Sequence, residues 1–264
     1  MALELLRRWR AHGERAARIE VVSARGSTPR EAGAFMLVTA QEQAGTIGGG
    51  RLEWDCLSEA RAFLKTGGAS VERDIPLGPA INQCCGGAVT VRIESADLAV
   101  EEVAALRTRE DLPQLLLFGA GHVGRALARA LSLLPLRLIW VDAREDAFGE
   151  AALVAEARVT ADWESVLEAA SPGAGVLVLT QSHTLDALIV AAALSRGDFR
   201  YVGMIGSRTK RQRFESGFRR IGITQERIDT LVCPIGDWGV RDKRPEVIAA
   251  FVAAEIAARF LERV

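Results

Sequence analysis

A glycine-rich turn between an apolar segment and a helical segment limits most strongly what this chain can fold into. Gly119-Ala-Gly-His-Val-Gly124 is a G-x-G-x-x-G motif that directly follows Leu115–Phe118 and opens the helical pattern of Val123–Leu133. The first glycine permits a tight turn, the second lets a pyrophosphate approach the backbone, and the third lets helix and strand pack closely. The motif therefore predicts the first βα unit of a Rossmann-type sheet, with Gly119, Gly121 and Gly124 in its binding turn.

An acidic residue follows at the spacing of a ribose contact. Asp142 comes directly after the next predicted strand, Leu136–Val141, and lies 23 residues beyond Gly119. An acid here accepts the ribose 2′-hydroxyl and favours NAD, whereas the nearby Arg144 could accept the 2′-phosphate of NADP. His122, inside the glycine motif, could face the ligand or cap the helix. The sequence leaves open both the choice between NAD and NADP and the role of His122.

A second loop with the residues of an anion site follows another predicted strand. Ser207 is a natural N-cap for a helix over 207–218, and Arg208 lies nearest to the start of that helix. Residues 207–220 hold six basic side chains and one acid, an arrangement that opposes the helix dipole. The basic side chains either bind an anion or form a solvated face. Arg208 is the best candidate for a phosphate contact.

A histidine is predicted at the carboxyl edge of the same sheet. His183 ends the stretch Thr180-Gln-Ser-His183, which follows the predicted strand Val176–Leu179. Ligands of open α/β sheets bind at this edge. His183 could donate a proton, contact a pterin or a nucleotide, or cap the next helix.

The pattern of elements changes near Pro113, which predicts two domains. Residues 1–110 predict a smaller N-terminal α+β domain, and residues 111–264 alternate strands with helices, which is typical of a parallel sheet. We therefore expect an α/β protein with a C-terminal Rossmann-like parallel sheet and a C-terminal helix. The N-terminal strands are predicted at Arg18–Ala24, Phe35–Thr39, Gly45–Ile47, Val71–Leu77 and Ala88–Glu94, and the helices at 3–12, Leu52–Lys65 and Asp97–Arg109.

Composition excludes several classes of protein. The net charge of −1 and the hydrophobic fraction of 49% are ordinary for a globular chain and exclude a disordered chain or a general nucleic-acid binder. The longest apolar stretches, such as Ala187–Leu194, fall short of the ~18 residues that a membrane span needs. We expect a cytoplasmic protein with no nucleic-acid and no membrane partner.

Four cysteines, at positions 56, 84, 85 and 233, fit no zinc spacing. Cys84 and Cys85 precede Gly86-Gly87, and a thiolate there is a ligand for soft metals and a carrier of sulfur. Two small buried side chains beside a glycine turn are the alternative. Cys56 and Cys233 are expected to serve in packing, and no metal site is predicted.

Six motifs, in order, carry a resemblance to a known family. They are Arg25-Gly-Ser-Thr-Pro-Arg-Glu-Ala-Gly33, Gly45-Thr-Ile-Gly-Gly-Gly50, Cys84-Cys-Gly-Gly87, Phe118-Gly-Ala-Gly-His-Val-Gly124, Val202-Gly-Met-Ile-Gly-Ser-Arg208 and Cys233-Pro-Ile-Gly236. From about residue 15 to 255 the chain resembles the xanthine dehydrogenase accessory protein family, XdhC, which is related to the CoxI proteins. One departure is Gln181, at a position where the family pattern has a further histidine.

The resemblance implies a non-catalytic chaperone of the molybdenum cofactor. Such a protein binds the molybdopterin cofactor, protects it while a cysteine desulfurase supplies the terminal sulfido ligand, and delivers it to the molybdenum-binding subunit of xanthine dehydrogenase. A homo-oligomer is expected, and a nucleotide could occupy the Rossmann site. The residues expected to bind the cofactor are Gly119, Gly121, His122, Gly124, Asp142, His183, Ser207, Arg208, Cys84 and Cys85.

Two other functions are compatible with the same residues. The glycine motif with Asp142 would also suit an NAD(P)-dependent oxidoreductase, which would bind NAD(H) and transfer hydride to a substrate. A nucleotide-sensing interaction module without chemistry would bind a partner only in the presence of its ligand. The Cys84-Cys-Gly-Gly87 loop favours the chaperone over the oxidoreductase.

Overall fold

The computed structural model describes residues 2–68, 70–78, 86–102 and 111–262. The chain divides into two compact units, Met1–Thr108 and Arg109–Val264. Each unit has its own sheet and its own buried apolar core.

The strands of the first unit are β1 Ala17–Arg25, β2 Phe35–Val38, β3 Gln43–Gly45, β4 Val71–Pro76 and β5 Ala88–Ser95, and its helices are α1 Ala2–Ala11 and α2 Gly50–Thr66. The strands form a five-stranded antiparallel sheet of order β3-β2-β1-β5-β4. Burial alternates along β1, as expected for a strand with one face toward the core. Helix α2 buries Leu52, Cys56, Ala60 and Phe63 in the core that this sheet forms.

One predicted strand of this unit was wrong. Residues Gly45–Ile47 were expected to form a strand, but β3 covers Gln43–Gly45 and residues 46–49 form a turn. The reason is the Glu53 carboxylate, which accepts the hydroxyl of Thr46 at 2.6 Å and the backbone N–H of Ile47 at 3.2 Å and of Gly49 at 3.0 Å. Of the predicted helix Asp97–Arg109, residues 98–102 are helical and 103–110 lie outside the described residues.

The strands of the second unit are β6 Gln114–Phe118, β7 Arg137–Asp142, β8 Glu156–Val159, β9 Gly175–Val178, β10 Tyr201–Met204 and β11 Leu231–Val232. They form a six-stranded, wholly parallel sheet of order β11-β10-β9-β6-β7-β8. This arrangement confirms the predicted fold class, an α/β protein with a Rossmann-like sheet in one domain and an antiparallel sheet in the other. The helices are α3 His122–Leu131, α4 Trp163–Glu168, α5 His183–Arg196, α6 Arg208–Arg220, α7 Gln225–Asp229 and α8 Pro245–Arg259.

The strand order places a ligand crevice at the carboxyl ends of β6 and β9. From β6 the chain runs through α3 to β7 and β8 on one side, and then crosses to β9 on the other. Helices α3 and α8 cover one face of the sheet, and α4 and α5 cover the other. In such sheets the ligand binds where the strand order reverses.

A buried polar pair lies on the α8 side of this sheet. The hydroxyl of Tyr201 donates to the Glu255 carboxylate at 2.5 Å, and both residues are buried, with 5% and 4% of their surface exposed. The backbone N–H of Gly236 donates to the same carboxylate at 3.3 Å. Burial raises the pKa of Tyr201, and the hydrogen bond to Glu255 raises it further.

Tyr201 is the only tyrosine of the chain, so its ionisation can be followed at 295 nm. Its pKa is higher in the folded than in the unfolded chain, so the unfolded chain loses the proton first as the pH rises past about 10. We expect no phenolate absorbance while far-ultraviolet dichroism shows folded protein, and a conformational stability that falls above that pH. Tyr201→Phe is the blank. A phenolate signal from folded protein near pH 10 would contradict this expectation.

Candidate functional site

The glycine turn after β6 is held by packing at its first and third glycines and is open at its second. Gly119 has a φ of +112°, and a Cβ there would lie 2.3 Å from the carbonyl oxygen of Leu179. A Cβ at Gly124 would lie 2.1 Å from the carbonyl oxygen of Gly119. A Cβ at Gly121 would meet no atom within 4 Å. Gly121 therefore leaves room beside the backbone for a ligand.

The start of α3 offers unsatisfied N–H groups to that space. Gly121 is the N-cap and supplies no side chain, and the first turn of a helix has no intrahelical acceptors for its N–H groups. A cleft of about 550 Å³ opens here, lined by the glycine turn together with Arg125, Arg144, Asp146 and Gln181. Helix N-termini with this geometry bind anions.

His122 lines this cleft and is not the helix cap. It is the first residue of α3, after the N-cap Gly121. The guanidinium of Arg125 donates to His122 Nδ1 at 3.2 Å and to the carbonyl oxygen of Ala147 at 2.8 Å. Arg125 thus fixes the ring beside the open cleft.

Asp142 lies at the end of β7, as predicted, but its carboxylate is fully engaged. Oδ2 accepts the backbone N–H of Ala120 at 2.7 Å and Nη2 of Arg144 at 2.9 Å. Oδ1 accepts the backbone N–H and Nε of Arg144, each at 3.0 Å. Burial by itself would raise the pKa of Asp142, but the hydrogen bonds from Arg144 and Ala120 outweigh it and lower the pKa below its ordinary value.

A smaller apolar slot adjoins the glycine turn. It has a volume of about 150 Å³ and is lined mainly by carbon, from side chains that include Val141, Ala161, Trp163 and Ile189. Asp142 and Arg144 lie at its border. Sequence reasoning did not find this slot, because its lining comes from four separate segments that only the fold brings together.

His183 and Ser207 lie on a third cleft, between the starts of α5 and α6. The volume of this cleft is about 490 Å³, and Thr184 and Arg213 also line it. Ser207 caps α6, as predicted, by accepting the N–H of Lys210 at 3.1 Å. His183 does not cap α5, since Ser182 accepts the N–H of Leu185 at 3.3 Å.

Arg208 is not among the residues that line these clefts. Its side chain is 84% exposed and lies 3.3 Å from the carboxylate of Asp237. An exposed ion pair of this kind contributes little to stability. The structure therefore leaves the guanidinium accessible, at the start of α6.

An acid that the sequence analysis missed joins the two helix starts. Asp186 is fully buried and accepts both the N–H and the hydroxyl of Thr180, at 2.9 and 2.7 Å. Its second oxygen accepts Nζ of Lys210 at 2.7 Å. Lys210 is thus neutralised from α5, and Arg211 is paired with Glu215 at 2.7 Å. Acids therefore offset two of the basic side chains near the start of α6.

Removing Lys210 should destabilise the protein strongly. Lys210→Ala leaves the Asp186 carboxylate buried and unpaired, which costs about 3–5 kcal/mol of unfolding free energy. Arg213→Ala is the matched control, because it removes an exposed cation from the same helix and should change stability by less than about 0.5 kcal/mol. Urea denaturation followed by dichroism measures both. Equal stabilities for the two variants would refute the importance of the buried pair.

The cysteines divide into two groups. Cys84 and Cys85 lie outside the described residues. Cys56 and Cys233 are buried and free. Burial raises the pKa of Cys56 to about 12, and the nearby Glu59 adds to this effect. Burial likewise raises the pKa of Cys233 to about 11. These two thiols are held as unreactive packing groups.

In the folded protein Cys56 and Cys233 should resist alkylation at pH 8, because the reactive thiolate is scarce and access is blocked. Brief labelling with iodoacetamide, followed by peptide mass spectrometry, assigns the label to each cysteine. Labelling in urea is the positive control and should modify both. Modification of either in folded protein at the rate of free cysteine would show that the site opens readily.

The glycine loops of the first unit are tied together by backbone contacts. The N–H of Gly87 donates to the carbonyl oxygen of Ser27 at 3.1 Å, and a Cβ at Gly87 would lie 2.3 Å from the carbonyl oxygen of Arg25. The structure thus places the end of the Cys84-Cys-Gly-Gly87 motif against the Arg25–Gly33 motif. In the Gly45–Gly50 loop, Glu53 accepts the backbone N–H groups of Ile47 and Gly49, and the hydroxyl of Thr46 accepts that of Gly48.

The described residues hold no cluster of three or more His, Cys, Asp or Glu side chains suited to a metal ion. Nor, within the same ranges, is any helix long and apolar enough to cross a membrane.

The parallel sheet, its glycine turn and the acid at the end of β7 define the second unit as a Rossmann-type domain. Family models agree with this and are more specific. A model described as the XdhC Rossmann domain matches residues 115–256, and one described as the XdhC and CoxI family matches residues 9–73. The chain therefore belongs to the XdhC and CoxI family, and the resemblance seen in its sequence is confirmed.

Similarities to individual proteins are less specific than the family match. It is 30% identical over 251 residues to the uncharacterized protein YqeB of Escherichia coli (strain K12), covering 90% of this chain and 42% of that protein. The chain thus spans less than half the length of this relative. A solved structure described as a xanthine dehydrogenase from Bacillus halodurans has a TM-score of 0.76 at 18% identity, over 100% of this chain and 96% of that one. This likeness shows the fold alone.

A second solved structure is less similar to this chain. A myo-inositol dehydrogenase from Corynebacterium glutamicum ATCC 13032 matches 41% of this chain and 33% of its own, at 16% identity and a TM-score of 0.34.

Proposed function

We propose that this protein is an accessory protein of xanthine dehydrogenase maturation that carries the molybdenum cofactor. Its membership in the XdhC and CoxI family is the observation that carries the proposal. The cofactor is cargo here, a pterin with a phosphate at one end and a metal dithiolene at the other. The protein would bind it, protect it during sulfuration and release it to the molybdenum-binding subunit of xanthine dehydrogenase in the cytoplasm.

The phosphate end of the cargo fits the cleft beside the glycine turn. Gly121 leaves the approach to the backbone open, and the uncapped start of α3 presents N–H donors. Arg125 adds a cation to the lining of the same cleft. Charge-assisted hydrogen bonds from these groups would hold a phosphate without covalent chemistry, as a carrier that must release its cargo requires.

The accessible residues of the sheet edge would extend this site. Arg208 is exposed and free to turn toward an anion, and His183 and Ser207 line the neighbouring cleft. Asp142 would act by positioning Ala120 and Arg144, because its own oxygens are engaged. A nucleotide is a further ligand that this edge could take.

The sulfur chemistry would fall to Cys84 and Cys85. Cys56 and Cys233 are buried and have raised pKa values, which makes them poor ligands for a soft metal. A cysteine desulfurase would supply the sulfur while Cys84 or Cys85 approaches the metal. We further propose that the protein acts as a homo-oligomer.

The substitution Gly121→Val tests where the phosphate binds. A Cβ at this position meets no protein atom within 4 Å, so a valine side chain would project into the space beside the turn and block a phosphate. We expect protein from cells that make the cofactor to lose most of its bound pterin, measured by fluorescence after oxidation. Gly217→Val, also free of clashes in the same unit, should keep its pterin. Equal pterin in the parent and both variants would move the phosphate away from this turn.

Two measurements test the proposed role: the molybdenum content of this protein, and the cofactor of xanthine dehydrogenase in a strain that lacks it. The parent protein should carry molybdenum as measured by mass spectrometry, and a strain that lacks it should make xanthine dehydrogenase deficient in sulfurated cofactor. Cys84→Ser with Cys85→Ser should reduce bound molybdenum, whereas Cys56→Ser and Cys233→Ser should not. Parent protein without pterin or molybdenum, together with normal xanthine dehydrogenase in the deletion strain, would refute the proposal.

A further inference from the structure

Two clefts of the second unit adjoin and share part of their lining. The apolar slot of about 150 Å³ and the glycine-turn cleft of about 550 Å³ have Gly119, Arg144, Thr180 and Gln181 in common. The slot suits a flat apolar group, and the glycine turn suits a phosphate. A ligand with a base at one end, a phosphate at the other and a sugar between them matches this sequence of surfaces.

The sugar would lie at the shared border, beside Asp142 and Arg144. A free acid at this position accepts a ribose hydroxyl. A carboxylate has about four lone-pair sites, and here all four are taken by N–H groups of Ala120 and Arg144. An additional ribose hydroxyl finds no acceptor there unless the ion pair breaks.

Arg144, in contrast, keeps donors for a ligand. Of the five N–H groups of its guanidinium, Nε and one of Nη2 bond to Asp142, which leaves three. The side chain is 43% exposed and lines both clefts. Three donors in a planar fork are suited to a phosphate monoester.

The ion pair also removes the repulsion that an acid would exert on such a phosphate. Asp142 is 9% exposed in its side chain, and its charge is offset at 2.9 Å by Arg144. Asp146 lines the glycine-turn cleft and acts electrostatically on Arg144, but it is solvent-exposed, where its charge is partly screened, and the cation Arg125 lines the same cleft. The sugar position is therefore neutral overall, with cationic donors to spare.

We propose that this site takes a nucleotide whose ribose carries a 2′-phosphate, and that Arg144 is the residue that selects it. The base occupies the apolar slot, the 5′-phosphate meets the start of α3, and the 2′-phosphate binds the free N–H groups of Arg144. This inference rests on the glycine turn as a phosphate site, as in the proposed function, and does not depend on the identity of the cargo.

Substituting Arg144 should change the preference for a ribose with a 2′-phosphate over a ribose with a free 2′-hydroxyl, and not merely weaken nucleotide binding. Arg144→Ala removes the donors for the 2′-phosphate and frees the Asp142 carboxylate, which then repels a phosphate and accepts a hydroxyl. Arg158→Ala is the matched control. Arg158 also donates Nε and Nη2 to a carboxylate, that of Glu156, but it lines neither cleft.

The full chain is purified from a strain that cannot make molybdopterin. Calorimetry then measures its affinity for adenosine 2′,5′-bisphosphate and for adenosine 5′-monophosphate. We expect the bisphosphate to bind the parent about tenfold or more tightly than the monophosphate, the gain of a charge-assisted contact. Arg144→Ala should abolish or reverse this ratio, and Arg158→Ala, which loses the same charge, should keep it.

Three results would overturn the inference: equal or weaker binding of the bisphosphate by the parent, a ratio that survives Arg144→Ala, or no binding of either nucleotide. The pterin and molybdenum assays use protein from cofactor-making cells and are read separately. Cargo bound without a nucleotide preference refutes this inference alone. A nucleotide preference without cargo refutes the proposed function alone.

Discussion

The contact between the glycine turn and the end of β9 is the constraint on which the second unit depends. Gly119 packs so closely on the carbonyl of Leu179 that any side chain would separate the two segments. This contact lies where the strand order reverses, and the N–H of Leu179 donates to the carbonyl of Phe118 at 2.9 Å. The turn, the loop that follows β9 and the lining shared by two clefts are fixed by the same few atoms.

Most of the fold followed from local patterns, since an apolar strand followed by G-x-G-x-x-G and an acid specifies a βαβ unit almost alone. The misplaced strand at Gly45–Ile47 shows where such patterns fail. An apolar isoleucine between glycines looks extended, but the Glu53 carboxylate, six residues later, accepts the backbone N–H groups of Ile47 and Gly49. A side-chain carboxylate and a neighbouring strand compete for the same backbone N–H groups. Which of them accepts depends on distances in the folded chain, which the sequence pattern does not give.

The sequence predicted where some of the candidate site residues lie, but not which hydrogen bonds they make. Asp142 lies at the end of its strand, as predicted. Its carboxylate has no acceptor site left, because of the rotamer of Arg144 and because the glycine turn brings the backbone N of Ala120 to 2.7 Å from Oδ2. Asp186 left only one signal in the sequence, an acid in the first turn of a helix after a strand. Its partner Lys210 lies 24 residues away, and adjacency of β9 and β10 makes them neighbours.

The Asp186–Lys210 pair also restrains the edge of the sheet. It joins the loop after β9 to the starts of α5 and α6 through a carboxylate that is fully buried. A preorganised edge loses little conformational entropy when a molecule docks there. Differences in affinity among ligands at this edge should therefore arise from direct contacts and desolvation, with little contribution from the ordering of loops.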